Sequence, residues 1–276
     1  MPPGYRKGSG FPLQSFCPAE QKGFSLQSLT QYLSNVSKYF HYFQIKFFLD
    51  KQYTYLLILT LSLAGPLLLS FDKKVAYYKK WKYIFPAMLL PALFYIIWDA
   101  WFTSIHVWSF NPDYITGIHI LNLPVEEVLF FFVVPYSCSF IYECIRCYFP
   151  AISTSLLSER ILFATGALLL IIAVFFNQLQ YTFYTAIFCA AFIFTLFLFR
   201  KNIDSFNSAA FLISFAVILF PFLIVNGFLT ALPIVLYNNA ENLALRIYTI
   251  PIEDIFYGML LVMMNIVIFE KLRSKI

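Results

Sequence analysis

The chain alternates long apolar runs with short polar breaks. Runs at about 53 to 71, 83 to 102, 125 to 144, 160 to 177, 181 to 199, 208 to 227 and 252 to 270 consist mainly of Leu, Ile, Phe, Val and Ala. Each approaches the roughly 20 residues that a helix needs to cross ~30 Å of hydrocarbon. The pattern predicts seven membrane-spanning helices. Residues 1 to 50 are the least hydrophobic part and lack the uninterrupted apolar core of a signal peptide. Within them Leu26, Leu29, Leu33, Val36, Phe40, Phe43 and Phe47 recur among polar residues. From Phe24 to Leu49 that spacing suits an amphipathic helix lying on the membrane surface, with a weakly ordered extension as the alternative.

Part of the chain occurs twice. Leu123-Pro124-Val125-Glu126-Glu127 is followed, 127 positions later, by Ile250-Pro251-Ile252-Glu253-Asp254. The same offset pairs Asp99 with Asn226, Thr103 with Thr230, Phe110 with Tyr237 and Asn111 with Asn238. The matched residues are mostly small, polar or acidic rather than the Leu and Phe that any span would share, which marks an internal duplication. Tyr53-Thr54-Tyr55 opens the first span and Tyr181-Thr182-Phe183 the fifth, at an offset of 128. Each repeat then holds three spans and the fourth joins them. A displacement of four spans makes the repeats parallel, so both acidic motifs are expected on one membrane face. The fold class is all-α integral membrane: seven transmembrane helices in two parallel three-helix repeats. The expected divisions are an extension over 1–50, a first repeat over 51–150, a linking helix over 151–180 and a second repeat over 181–276.

Composition and charge agree. With 61% hydrophobic and 12% charged residues, the chain does not fit a soluble globular domain. Lys73, Lys74, Lys79, Lys80 and Lys82, then Arg146, then Arg200 and Lys201, then Lys271, Arg273 and Lys275 fall in alternate breaks and the tail. The breaks at 103 to 124 and 228 to 251 hold only Arg246. The positive-inside rule makes the lysine-rich side cytoplasmic, and it reads the net charge as topology and not as nucleic-acid binding. Arg6, Lys7, Lys22, Lys38 and Lys46 in the extension run against this trend.

The acids carry the candidate chemistry. A carboxylate at mid-span costs on the order of 3 kcal/mol on insertion scales, so Asp99, Glu126, Glu127, Glu253 and Asp254 need a reason to be there. Pro124 suits the first helical position, which puts Glu126 and Glu127 in the first turn at the positive end of the helix dipole. Asp99, at the other end of a span beside Trp98 and Trp101, is expected to carry a proton while Glu126 and Glu253 are anions. Carboxyl groups in opposite protonation states are what acid–base chemistry needs. Capping of helices at the surface is the bland alternative for each motif alone. Trp98, Trp101, Trp108 and Tyr237, with Asn226, are candidates for contact with a substrate, since aromatic faces stabilise cations; interfacial aromatic belts are the competing explanation.

Other chemistries find no frame. The five cysteines are scattered, with Cys144 and Cys147 as a lone C-x-x-C, and His41, His106 and His119 share no metal-ligand spacing. The glycines form no dinucleotide or phosphate loop, and no aspartate-rich motif for Mg²⁺ and diphosphate is present. Neither a cofactor nor a metal is expected.

Tyr53-Thr54-Tyr55-Leu56, Ala64-Gly65-Pro66, Ser70-Phe71-Asp72, Trp98-Asp99-Ala100, Pro124-Val125-Glu126-Glu127, Asn226-Gly227-Phe228-Leu229-Thr230 and Pro251-Ile252-Glu253-Asp254 together resemble the small membrane lycopene cyclases. In that family two homologous halves occur as separate subunits or fused, and this chain is similar to the fused form over about 51 to 270. The resemblance implies a cofactor-independent isomerase that closes the ψ-ends of lycopene to β-ionone rings. It implies Glu126, Glu127, Glu253 and Asp254 as the catalytic residues, and a bilayer-dissolved polyene as substrate in a bacterial inner (cell) membrane. The extension lies outside the resemblance. The alternatives are a cyclase of another carotenoid or ring isomer, and a non-catalytic carotenoid-binding, channel or transport protein. The sequence leaves the oligomeric state open.

Overall fold

The computed structural model describes residues 50–203 and 205–274, so the expected amphipathic helix over 24 to 49 lies outside the described residues. Seven helices follow in order: α1 (Thr54–Leu69), α2 (Trp81–Ser104), α3 (Val125–Tyr148), α4 (Leu156–Phe175), α5 (Gln180–Leu198), α6 (Ser208–Ala231) and α7 (Glu253–Ser274). Together with short turns at the starts of α1 and α2, all seven are long and apolar enough to cross a membrane. The chain is a multi-pass α-helical membrane protein.

The duplication is written into the backbone. Both ends of α2 and α6 are offset by 127 positions. In the loop after α2, β1 (Trp108–Phe110) is followed by a hairpin of β2 (His119–Ile120) and β3 (Leu123–Pro124). After α6, β4 (Val235–Tyr237) is followed by a hairpin of β5 (Arg246–Ile247) and β6 (Ile250–Pro251), again 127 positions on. Left-handed backbone recurs at matching places, Gly117 with Ala244 and Leu121 with Tyr248. Ala244, Leu121 and Tyr248 adopt a conformation that glycine tolerates best, so the loop shape is dictated by its bonding and not by local preference.

Two interactions tie the repeats together at opposite ends. On the acid-motif side β1 pairs antiparallel with its own counterpart β4, Trp108 opposite Tyr237 and Phe110 opposite Val235, which puts a local two-fold axis at the Ser109–Leu236 pair. Asn111 N–H donates to Ile234 C=O and Asn238 N–H to Val107 C=O, both at 2.9 Å, extending the ladder symmetrically. At the lysine-rich end, Arg273 of α7 donates to Glu143 of α3 at 2.8 Å, and Arg146 of α3 pairs with Glu270 of α7. Lys80 adds a second cation to Glu143, and Tyr142 donates to Glu270 at 2.9 Å. Each arginine bonds the glutamate of the other repeat. The two glutamates are almost fully buried, whereas the cations reach partway to solvent. The arginines that signal topology in the sequence therefore also clasp the bundle.

Between these ties α3 and α7 run side by side, with α2 packed on α7 and α6 on α3. Outside them α1 packs on α3 and α5 on α7, so the three-helix units interlock. The linking helix α4 packs on α5 and α6, against the second repeat. Gly166 permits this approach, since a Cβ there would lie 3.0 Å from Ile193 Cγ2. Pro124 differs from its expected place at the first helical position. It is the N-cap residue and pairs with His119 in the hairpin, while the next N–H, Val125, is taken by Ile118 C=O at 2.8 Å. The helix starts one residue later, and Glu126 and Glu127 still fall in its first turn.

Removing one partner of a buried ion pair strands the other's charge, at a cost of about 3–5 kcal/mol when both are fully dry. Because the cations here are partly hydrated, Glu143→Ala is expected to cost roughly 2–3 kcal/mol. Unfolding of the detergent-solubilised protein by heat or SDS measures this; a midpoint equal to the unaltered chain's would show that the clasp contributes nothing.

Candidate active site

Successive residues of a helix point about 100° apart, so the two acids of each motif face different surroundings. Glu126 and Glu253 turn back to the loops before them. Glu126 Oε1 accepts from Thr116 N–H at 2.7 Å and Glu253 Oε1 from Leu243 N–H at 2.8 Å, ten residues upstream in both cases. Thr182 Oγ1 also donates to Glu253 at 2.6 Å. Glu253 borders an apolar pocket of about 220 Å³ together with Phe256 and Leu245. These two carboxylates pin the loop that carries each hairpin.

Glu127 and Asp254 face inward. They line one cavity of about 50 Å³ between the repeats, where Asp99 of α2 joins them. All three are buried. Tyr55 O–H donates to Glu127 Oε2 at 2.5 Å and Tyr181 O–H to Asp254 Oδ1 at 2.5 Å, a symmetric arrangement from the first helix of each repeat. Tyr55 and Tyr181 are 126 positions apart, so these helices are equivalent in a register two residues from the expected pairing of Tyr53 with Tyr181. Each helix begins one residue before its tyrosine, at Thr54 and at Gln180.

The symmetry stops at the next shell. Tyr237 O–H donates to Asp254 Oδ2 at 3.0 Å, but its counterpart Phe110 has no hydroxyl to offer Glu127. Burial and the adjacent Asp254 push the Tyr237 phenol well above its ordinary range, which keeps it a donor. Asp254 thus has both oxygens engaged and Glu127 one. Asp99 Oδ2 has no hydrogen-bond partner among the described residues. Asn226, in the position matching Asp99, also lines the cavity and donates to Phe222 C=O at 3.1 Å.

Aromatic rings supply much of the remaining wall. Trp108 meets Tyr181 edge-on at 5.1 Å and Tyr257 at 6.0 Å, and Tyr181 stacks on Tyr237 at 5.7 Å. Of the residues singled out in the sequence, Asp99, Glu127, Asp254, Trp108, Asn226 and Tyr237 meet in this cavity. Glu126 and Glu253 do not line it. Trp98 lies behind the wall, packed on Tyr257 at 5.0 Å and Phe188 at 4.9 Å. Trp101 is 39% exposed on the outer surface, edge-on to Tyr184. Tyr55 and Tyr181 were visible in the sequence only as part of an aromatic opening to two spans. A tyrosine near the start of the first helix of each repeat is the signal, but the acid each one serves is more than 70 residues away.

The arrangement can hold protons in a dry, cation-tolerant chamber built from both repeats. The family profile described as "Lycopene cyclase" matches twice, over residues 52–145 and 178–272. A "Bifunctional lycopene cyclase/phytoene synthase" from Aspergillus niger is 40% identical over 45 residues, which is 16% of this chain and 8% of that protein. No solved structure matches the chain. With a profile that covers both repeats and every acid of the duplicated motifs, the chain belongs to the lycopene cyclase family.

Proposed function

We propose that the protein is a lycopene β-cyclase of the cell membrane that closes the ψ-ends of lycopene by acid–base chemistry with its own side chains. The observation that carries this reading is that Asp99, Glu127 and Asp254, drawn from both repeats, line one cavity together with aromatic rings. Ring closure is an isomerisation: one proton is gained and one is lost, and no electrons are exchanged with a carrier.

Asp99 is the proton donor in this scheme. It lines the cavity, and its Oδ2 is buried with no hydrogen-bond partner among the described residues, a costly position for an anionic oxygen and a suitable one for a hydroxyl that meets an alkene. Protonation of the terminal double bond leaves a tertiary cation, the neighbouring double bond attacks it, and a six-membered ring forms with the cation moved into the ring. Asp254, held by Tyr181 and Tyr237 through both oxygens, faces that cation and stabilises it together with the faces of Trp108 and Tyr257. Glu127, oriented by Tyr55 and with its second oxygen free, removes the proton from the ring carbon that has just formed the new bond. The resulting double bond is conjugated with the polyene, which is the β isomer. Return of the proton from Glu127 to Asp99 within the cavity resets the site. Glu126 and Glu253 support this machinery through the loops they hold.

Expressed in cells that accumulate lycopene, the chain is expected to convert the red pigment to orange-yellow β-ringed product, separable by chromatography; unchanged lycopene with folded protein would sink the reading. Asp99→Asn and Glu127→Gln should each lower ring formation by ~10²-fold or more, the usual contribution of a positioned acid or base. Glu126→Gln and Glu253→Gln keep the acceptor oxygen that their loops use and should remain within a few-fold of the unaltered chain per folded molecule. Equal losses at Glu126 and Glu127 would reverse the assignment.

A further inference from the structure

The acid cavity, about 50 Å³, is too small for what it must hold. Cavities that admit benzene are on the order of 150 Å³, so a six-membered ring fits only after a wall moves. One wall is shared with a second space. Between α1, α3 and α6 runs an apolar groove of about 250 Å³, lined among others by Ser62, Pro66, Pro221 and Val225, and bordered by Val134, Phe222 and Asn226, all three of which also line the acid cavity.

Phe222 is the aromatic side chain common to both spaces. Its ring rests against the backbone of α7 at Gly258, where a Cβ would lie only 2.9 Å from Phe222 Cε2. Pro221 immediately before it removes a hydrogen bond from α6 at this level. The corresponding place in the other repeat is closed. At the matching positions Phe222 becomes Tyr95, Gly258 becomes Phe131, Pro221 becomes Phe94 and Val225 becomes Trp98. Tyr95 packs on Phe131 at 5.5 Å and donates to Tyr257 C=O at 2.8 Å, while Phe94 and Trp98 both meet Phe188. An aromatic plug fills the space that is a groove on the opposite side.

We propose that the groove between α1, α3 and α6 is the one route by which an acyclic isoprenoid hydrocarbon reaches the acids, with Phe222 on Gly258 as its gate. This rests on the cyclase reading for the identity of the reaction, and it adds a consequence. A two-fold protein with a single door works on one end of its substrate at a time, and the monocyclic product must leave and return reversed to receive its second ring.

Two measurements test the route. An acyclic isoprenoid hydrocarbon carrying a terminal diazirine, photolysed with the unaltered protein in nanodiscs, is expected to label α1, α3 and α6 around Ser62, Val134 and Val225. Labelling confined to the Phe94 and Phe188 face would overturn the proposal. In lycopene-accumulating cells, Val225→Trp places in the groove the residue that fills the matching space in the first repeat. It is expected to cut ring formation at least about tenfold by displacing the reacting end, and Gly258→Ala to cut it less. Folded Val225→Trp protein with full activity would overturn the route while leaving the cyclase reading intact. If the unaltered chain forms no rings, the cyclase reading fails and the labelling pattern alone decides the groove; if Val225→Trp does not accumulate, the labelling again decides.

Discussion

The structure depends on holding the first turns of α3 and α7 side by side, because the site consists of acids from both. A hydrocarbon solvent provides little hydrophobic drive for helices to associate, so their register must come from packing and polar ties. Here the ties sit at the two ends. The β1–β4 ladder joins the loops before the acid motifs, and the crossed Glu143–Arg273 and Arg146–Glu270 pairs join the far ends of the same two helices. A pair of helices fastened at both ends cannot slide, and the acids at one end inherit that rigidity.

Duplication then explains an economy in the acidic motifs. Two adjacent acids in a first turn could be two copies of one role, but the helical twist separates them. The first of each pair bonds a backbone N–H ten residues earlier and shapes the loop; the second meets a tyrosine and faces the cavity. One short motif therefore builds both the support and the chemistry, and a second copy completes the chamber. The loops contain non-glycine residues in left-handed conformation at matched positions, a strain that the paired bonding imposes twice.

The symmetry fails in a few places, each at one or two side chains. Tyr237 against Phe110 gives the two inward acids different partners. Asp99 against Asn226 gives the cavity a carboxyl group from one repeat and an amide from the other. Phe222 and Gly258 against Tyr95 and Phe131 open one flank and close the other. Divergence after duplication has left the two halves of the cavity with unlike polar groups.

Much of this was legible without coordinates. Seven spans, the offset of 127 positions, the parallel repeats and the acids on one face follow from hydropathy and from residues repeated at fixed separation, because crossing a bilayer constrains length and polarity locally. The exchange of partners between Glu143, Glu270, Arg146 and Arg273 was not legible, since charges near span ends carry the same signature whether they face water or each other. Nor was the division between Glu126 and Glu127, or the service of Tyr55 and Tyr181, because adjacent positions differ only by a rotation whose meaning is set by what packs opposite. The number of crossing helices and the residues able to do acid–base chemistry are local properties, written along the chain; which acids share a cavity depends on contacts between segments far apart in it, and only the packed bundle brings those together.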